Sequence, residues 1–361
     1  MWSTSDEFDP QRAEVMARGC ARPIKTASGV WVRCGSRIKS RCESCAELYR
    51  GDWAAIARSG IFDGPVESHR FYLLTLTAPS FGRVHRVPRD EGAKASRCGC
   101  GVVHRAKDGG LRGVPLDGAT YDYAGQVAWN RDAGVLWDRT RRRLRDRWES
   151  VEFFIVREWQ ERGVLHMHVL LRLERAGAPD ADTIRDGARS AVAFSKIDGA
   201  VVEWGEQADC QAFTADGNGA KTIWYLSKAL NYVLKDVVPD GERAHPMVWA
   251  HQAALARAAR AMRCSRECVP GDCRKAIHAR FGSRSHVVSA SRRTPHRPGW
   301  SFTGLTRSVQ RRLRAEWVAR QSEASAPASS AVASPALVAP VLERLADRTR
   351  RESRLNAAAA P

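Results

Sequence analysis

The apolar residues of this chain gather into short dense runs, and two of the clearest lie a few residues apart. Val151-Glu152-Phe153-Phe154-Ile155-Val156 belongs to a run over residues 150–159, and Val164-Leu165-His166-Met167-His168-Val169-Leu170-Leu171 to one over 164–173. Both are rich in branched and aromatic side chains. The turn-like Gln160-Glu161-Arg162-Gly163 between them predicts an antiparallel hairpin. Upstream, Phe71-Tyr72-Leu73-Leu74-Thr75-Leu76-Thr77 predicts a strand stopped by Ala78-Pro79. Residues 200–204 and 210–213 predict two short strands on either side of Gly205-Glu206-Gln207.

Helical periodicity takes over at 121–148. There Tyr123, Val127, Ala128, Ala133, Leu136 and Trp137 share a face, and Arg139 to Arg147 form a basic end. Further helices are predicted over 46–59, 179–195, 220–236, 246–262 and 303–321. Strands and helices in this order predict an α+β fold, one antiparallel sheet covered by helices. Residues 87–118 are rich in Gly, Arg and Lys without periodicity, and read as an insertion or flexible connection. From residue 322 the chain turns Ala/Ser/Pro-rich and predicts a mobile tail. The expected organisation is a cysteine-rich region at 1–65, a core domain at 66–240, a basic helical region at 241–321 and the tail at 322–361.

Charge narrows the choice of partner. The chain carries a net charge of +18 with a pI near 10.0, and arginine far outnumbers lysine. Guanidinium groups bind phosphates in bidentate fashion, so the expected partner is nucleic acid. No apolar run is long enough to cross a membrane, and Met1-Trp2-Ser3-Thr4-Ser5-Asp6-Glu7 is acidic rather than signal-like, so a cytoplasmic protein without membrane contact is expected. In such a compartment 10 cysteines argue for metal ligands or free thiols over disulfides. Cys20, Cys34, Cys42 and Cys45 have the spacing of a structural four-thiolate zinc site. Cys98, Cys100 and His104 offer three ligands for a second site, and Cys264, Cys268, Cys273 and His278 four for a third.

Residues two apart in a strand point to one face, so His166 and His168 project side by side. Two imidazoles so placed can share a metal ion. An odd-length hairpin loop or a bulge brings Glu158 to the same face, and a two-His, one-carboxylate set suits Mg²⁺ or Mn²⁺. Glu161 is the other carboxylate at hand, but it lies in the turn. Downstream, Tyr225 with Lys228 and Tyr232 with Lys235 form two Y-x-x-K units seven residues apart, hence on one helical face. Tyrosine can attack a phosphodiester where a cation makes phosphorus electrophilic and nearby lysines offset charge.

These motifs resemble those of rolling-circle replication initiators of the HUH endonuclease superfamily, in the branch found on actinobacterial plasmids and integrative elements. Cys20-Ala21-Arg22-Pro23-Ile24, Cys34-Gly35-Ser36-Arg37 and Cys42-Glu43-Ser44-Cys45 resemble the family's cysteine-bearing N-terminus. Leu74-Thr75-Leu76-Thr77-Ala78-Pro79-Ser80-Phe81-Gly82 resembles its first replication motif. The run from Arg162 to His168 resembles the second, metal-binding motif. Trp204-Gly205-Glu206-Gln207 resembles a further signature, and the Y-x-x-K units the third motif.

The resemblance implies an HUH core with about five strands. It also implies a tyrosine nucleophile, a 5′-phosphotyrosine intermediate, origin DNA as substrate, and host helicase and polymerase as partners. Here Ala229-Leu230-Asn231 separates the two units, so Tyr232 and Tyr225 both remain candidates, Tyr232 first. The family's cysteine pair before Tyr121-Asp122-Tyr123 is replaced by Leu116-Asp117-Gly118-Ala119, which leaves the Cys98, Cys100 and His104 set incomplete. Other readings are a non-catalytic zinc-containing DNA-binding protein, or a transposase or relaxase with the same chemistry. A histidine-triad hydrolase is a poor reading, because Leu170 stands where its third histidine belongs.

Overall fold

The computed structural model describes residues 9–93, 96–215, 221, 224, 245–283 and 287–324. Tyr225, Lys228, Tyr232, Lys235, most of the helix expected over 220–236 and nearly all of the expected tail lie outside them. The chain divides into two compact units, Met1–Gln310 and Arg311–Pro361. All that follows concerns the first.

The expected hairpin forms β4 (Glu152–Trp159) and β5 (Leu165–Glu174). Together with β3 (His69–Leu76), β8 (Ala208–Phe213) and β9 (Val288–Ala290) they make a five-stranded antiparallel sheet in the order β8-β3-β5-β4-β9. The α+β class and the strand count agree with expectation. The edge strand β9 was not anticipated; three residues of Val-Ser-Ala are too few to show a period. Residues 201–203 do form a strand, β7, but it pairs with β6 (Val192–Phe194) in a separate ribbon, not in the central sheet.

Alternation along each strand divides the core in two. One face presents Tyr72, Leu74, Leu76, Ile155, Met167, Val169 and Leu171 to α3 (Tyr123–Arg147), whose Ala133, Leu136, Trp137 and Leu144 are buried there. Asp122 caps α3 by accepting the Gly125 amide at 2.7 Å, and Arg145 and Arg147 complement the dipole of its last turn. The helix α4 (Ala181–Arg189) lies beside it with Ile184 and Ala188 buried. The opposite face presents Phe71, Phe154, Val156 and Leu170 to Ile56, Ala57 and Ile61 of α2 (Glu43–Phe62). Each Val, Leu, Ile, Phe or Met among these contributes about 1.5–3 kcal/mol on burial.

Arg172, on the α2 face, is 1% exposed. It donates to the carbonyls of Gly60, Gly299 and Trp300 at 2.6–2.7 Å and lies 3.7 Å from the centre of the Phe302 ring. It thereby ties the segment after β9 to α2. The helix α5 (Pro246–Ala261) packs Leu255 and Ala259 against Val127 of α3. A short helix, α1 (Pro10–Ala17), and a two-residue ribbon, β1 (Ile24–Lys25) with β2 (Trp31–Val32), precede α2. Among the described residues no helix is long and apolar enough to cross a membrane.

Candidate active site

The α2 face of the sheet is apolar through its middle, carries Arg172 and Glu152 at one end, and ends on a second polar group at the other. Glu158 stands directly across the hairpin from His166, and His168 directly across from Thr75 of β3. Cross-strand partners share a face, so these four side chains project together. The register requires an odd loop, and the chain supplies it: residues 160–164 separate the strands, with Gly163 at φ +74° and its amide donating to the Gln160 carbonyl at 2.8 Å. Only glycine adopts that conformation without strain. Glu161, the competing carboxylate, is exposed and pairs with Arg112 at 2.9 Å.

Glu158 Oε2 lies 3.0 Å from Nε2 of His168, and the His166 and His168 rings are 4.6 Å apart. Thr75 Oγ1, at 3.4 Å, meets the other ring nitrogen of His168. Nδ1 of His166 is buried and has no hydrogen-bond partner among the described residues. Burial, then His168 and the guanidinium groups of Arg162 and Arg89, push the pKa of His166 down to about 3. The imidazole is therefore a neutral lone-pair donor throughout the physiological range.

An unpartnered buried nitrogen beside a carboxylate fits a divalent cation. Two donors in adjacent octahedral positions, each ~2.1 Å from Mg²⁺, stand ~3 Å apart, the separation of Glu158 from His168. The trio is not among the groups whose ligand atoms all lie within 4.8 Å, so a ring rotation of His166 has to complete the set.

Three groups do converge to within 4.8 Å, and each could hold a metal ion. The first is the expected Cys20, Cys34, Cys42 and Cys45 set. Cys20 and Cys45 are 3.7 Å apart at sulfur, and the amides of Cys34 and Ala21 donate to Cys20 and Cys42 at 3.3 and 3.4 Å. Cys42 caps the N-terminus of α2. Burial raises its pKa, but the amides of Cys45 and Ala21 outweigh that and hold it at about 7.

The second group is Cys264, Cys268, Cys273 and His278, just after α5. Sulfur-to-sulfur and sulfur-to-Nε2 separations are 3.8 and 3.6 Å, and Nδ1 of His278 is 2.6 Å from the Ala259 carbonyl, which fixes the tautomer. The third is Cys98, Cys100 and His104, completed by His85. The expectation of an incomplete set is corrected here. The missing ligand comes not from residues 116–119 but from just beyond β3, and the segment read as an insertion or flexible connection is folded around the cluster. All ten cysteines are free.

Beside the histidine end of the sheet lies a cleft of about 1500 Å³, floored by the exit of β3, the β4–β5 turn and residues 203–207. Seven arginines line it against four carboxylates. Two of the four are already paired, Glu161 with Arg112 and Asp186 with Arg185. The Trp-Gly-Glu-Gln signature builds this wall. Trp204 is 5% exposed and donates to Thr140 Oγ1 at 2.9 Å, and Gly205 lets the chain pass so close to Ala78 that an added Cβ would meet its carbonyl oxygen at 2.4 Å. Glu206 and Gln207 are thereby turned into the cleft. Thr75, His85 and the arginine lining were not singled out from sequence as parts of a site.

The candidate nucleophiles Tyr225 and Tyr232, with Lys228 and Lys235, lie outside the described residues.

Comparison with known proteins places these features in a family. No solved structure matches the chain. A curated replication initiator protein from Streptomyces ambofaciens is 35% identical over 226 residues, covering 52% of this chain and 48% of its own length, so the chain spans about half of that relative. A family model described as "Replication initiator protein, pSAM2" matches residues 1–360. With the match running almost end to end, the chain belongs to this replication initiator family.

Proposed function

We propose that the chain initiates rolling-circle replication by nicking and rejoining one strand of origin DNA at His166, His168 and Glu158. The observation that carries the reading is the direct pairing of Glu158 with His166 across the hairpin, with its carboxylate 3.0 Å from His168. A Mg²⁺ or Mn²⁺ ion held by these three residues would polarise the scissile phosphate and draw charge from a non-bridging oxygen.

Tyr232 is the proposed nucleophile and Tyr225 the second, terminating one. The phenolic oxygen bonds to phosphorus as the bond from phosphorus to the 3′ oxygen breaks. The phenol proton passes to solvent, the released 3′ oxygen takes one up, and the DNA 5′ end stays joined to the protein. Lys235 and Lys228 offset phosphate charge. The new linkage conserves the phosphodiester energy, so attack by a 3′-hydroxyl can later reseal the strand without ATP. The Cys20, Cys34, Cys42 and Cys45 set is proposed to hold a structural zinc ion that fixes the start of α2.

A non-catalytic zinc-containing DNA-binding initiator is the second reading, favoured by the three clusters that could hold a metal and the seven arginines of the cleft, which serve DNA binding without any reaction. Fluorescent single-stranded oligonucleotides tiled across the replicon's origin, incubated with Mn²⁺, separate the two. A covalent adduct is expected on a denaturing gel, abolished by Tyr232→Phe. Abolition by Tyr225→Phe instead exchanges the two roles. An adduct that survives both changes, or none from the wild-type chain, refutes the mechanism.

A further inference from the structure

Between β3 and α3, the described residues of 83–116 have almost no regular structure of their own. They hold a short 3₁₀ segment, Ala106–Leu111, and the isolated bridges Val84↔Pro115 and Arg97↔Val103. They bury few apolar side chains, yet His85, Cys98 and His104 are 7%, 3% and 5% exposed. Burying two imidazoles is costly unless their ring nitrogens are bound.

The spacing of these groups says what binds them. His85 Nδ1 lies 3.2 Å from His104 Nε2, Cys98 Sγ 3.7 Å from His85 Nδ1, and Cys100 Sγ 3.3 Å from His104 Nε2. A tetrahedral zinc ion with Zn–N of ~2.0–2.1 Å and Zn–S of ~2.3 Å sets its ligand atoms ~3.3–3.8 Å apart. A single N–H···N bond between the histidines would explain the first distance and neither of the others. The surroundings agree as well. The Arg86 amide donates to Cys98 Sγ at 3.4 Å, as to a thiolate. Asp108 Oδ2 accepts the Arg105 amide at 2.9 Å and lies 3.6 Å from His104 Nδ1, which places a carboxylate behind the imidazole.

The ligands alternate with the cleft's cations. Arg86 follows His85, Arg97 precedes Cys98, and Arg83 lies two residues before His85. All three side chains are exposed and line the cleft. Further cations come from other elements, Arg162 from the β4–β5 turn and Arg189 from the end of α4. Guanidinium groups spread over separate elements suit a row of phosphates better than one anion.

We propose that His85, Cys98, Cys100 and His104 bind one zinc ion, and that this ion holds in place the arginine wall along which a single DNA strand runs to His166, His168 and Glu158. The zinc assignment stands by itself, while the course of the strand rests on the nicking reading above.

The test uses the full-length chain. Zinc per chain is measured by elemental analysis, and affinity is measured by anisotropy with a fluorescent single-stranded oligonucleotide without Mg²⁺ or Mn²⁺. Cys100→Ser, at the exposed ligand, should lose one zinc equivalent and bind the oligonucleotide measurably more weakly than wild type. Cys100→His, which keeps a ligand, should retain both. The double variant Arg86→Glu/Arg97→Glu should keep its zinc and lose affinity, with a salt slope shallower by about 1.4 for two lost phosphate contacts. Full zinc in Cys100→Ser overturns the metal site. Wild-type affinity in a zinc-depleted Cys100→Ser, or in the arginine variant, overturns the wall. Failure of the wild-type chain to form a covalent adduct refutes nicking but leaves both readouts intact.

Discussion

His166, His168 and Glu158 are carried by two paired strands inside a five-stranded sheet, whereas His85, Cys98, Cys100 and His104 are carried by a segment with no strand longer than a bridge among its described residues. The backbone bonds of β3, β4 and β5 hold the first set in register whether or not an ion is bound. In the second, the side chains themselves make the core, and the backbone follows them. A site of the first kind can lose a ligand and keep its shape. One of the second kind loses both together.

The strongest way to break this contrast is to remove a ligand from the sheet. His168→Ala should lower adduct formation at least about a hundredfold while leaving zinc content at wild type and the chain folded. Glu158→Gln, which keeps the shape and removes the charge, should fall in the same direction. A His168→Ala protein that unfolds or sheds zinc would show that the two regions are not independent.

Next in size is a change where the sheet meets the cleft. Gly205→Ala places a methyl group 2.4 Å from the Ala78 carbonyl oxygen, a backbone atom with little room to yield. Overpacking of this kind costs about 1–3 kcal/mol. The melting temperature should fall, and oligonucleotide affinity should fall with it, because Ala78, Gly205 and Gln207 all line the cleft. Unchanged melting would mean that the β3 exit moves aside freely.

The same contrast explains what could be read from the sequence. A strand spaces side chains by two, so the histidine pair and its odd-looped carboxylate were visible in Glu158, His166 and His168 alone. Zinc knuckles keep short local spacings, which made the Cys20 and Cys264 sets legible. His85 was missed because it joins Cys98 from 13 residues upstream in an aperiodic stretch, and no period relates them. The nearest unassigned histidine before an incomplete Cys-x-Cys-x₃-His run was the available signal. The edge strand β9 was too short to show alternation, and its place is set by pairing with β4. Trp204 and Gly205 were recognised as a signature, but their work is steric and appears only once Ala78 and Thr140 are seen against them.

A smaller effect sharpens the sheet side of the comparison. Thr75 meets His168 Nδ1 at 3.4 Å from a neighbouring strand and so orients the ring whose Nε2 faces Glu158. Thr75→Val keeps the shape and removes the hydroxyl. Mn²⁺ affinity, followed by electron paramagnetic resonance, should weaken by about tenfold, in the range for partners of a ligating histidine. Stability should barely change. An equal loss in Thr75→Ser, which keeps the hydroxyl, would assign the effect to packing instead.

The smallest expected effect concerns how the Cys264, Cys268, Cys273 and His278 cluster is tethered to the sheet's helices. Arg131 of α3 donates to the carbonyl of Arg263, next to Cys264, at 2.9 Å, and to Asp198 at 2.8 Å. Burial raises the pKa of Asp198, but hydrogen bonds from Arg131, Ser195 and the Ala200 amide outweigh it and hold the value at about 2, against 3.8 for an ordinary aspartate. Between those values the unfolded chain binds the proton more readily than the folded one. The stabilisation is therefore fully present above about pH 4 and is lost as pH falls toward 2. Half of the Asp198 side chain is open to solvent, so screening keeps the effect small. Asp198→Asn should melt slightly below wild type at pH 6, and the gap should close in acid. A gap that stays constant to pH 3 would show that the charge of Asp198 does not hold this tether.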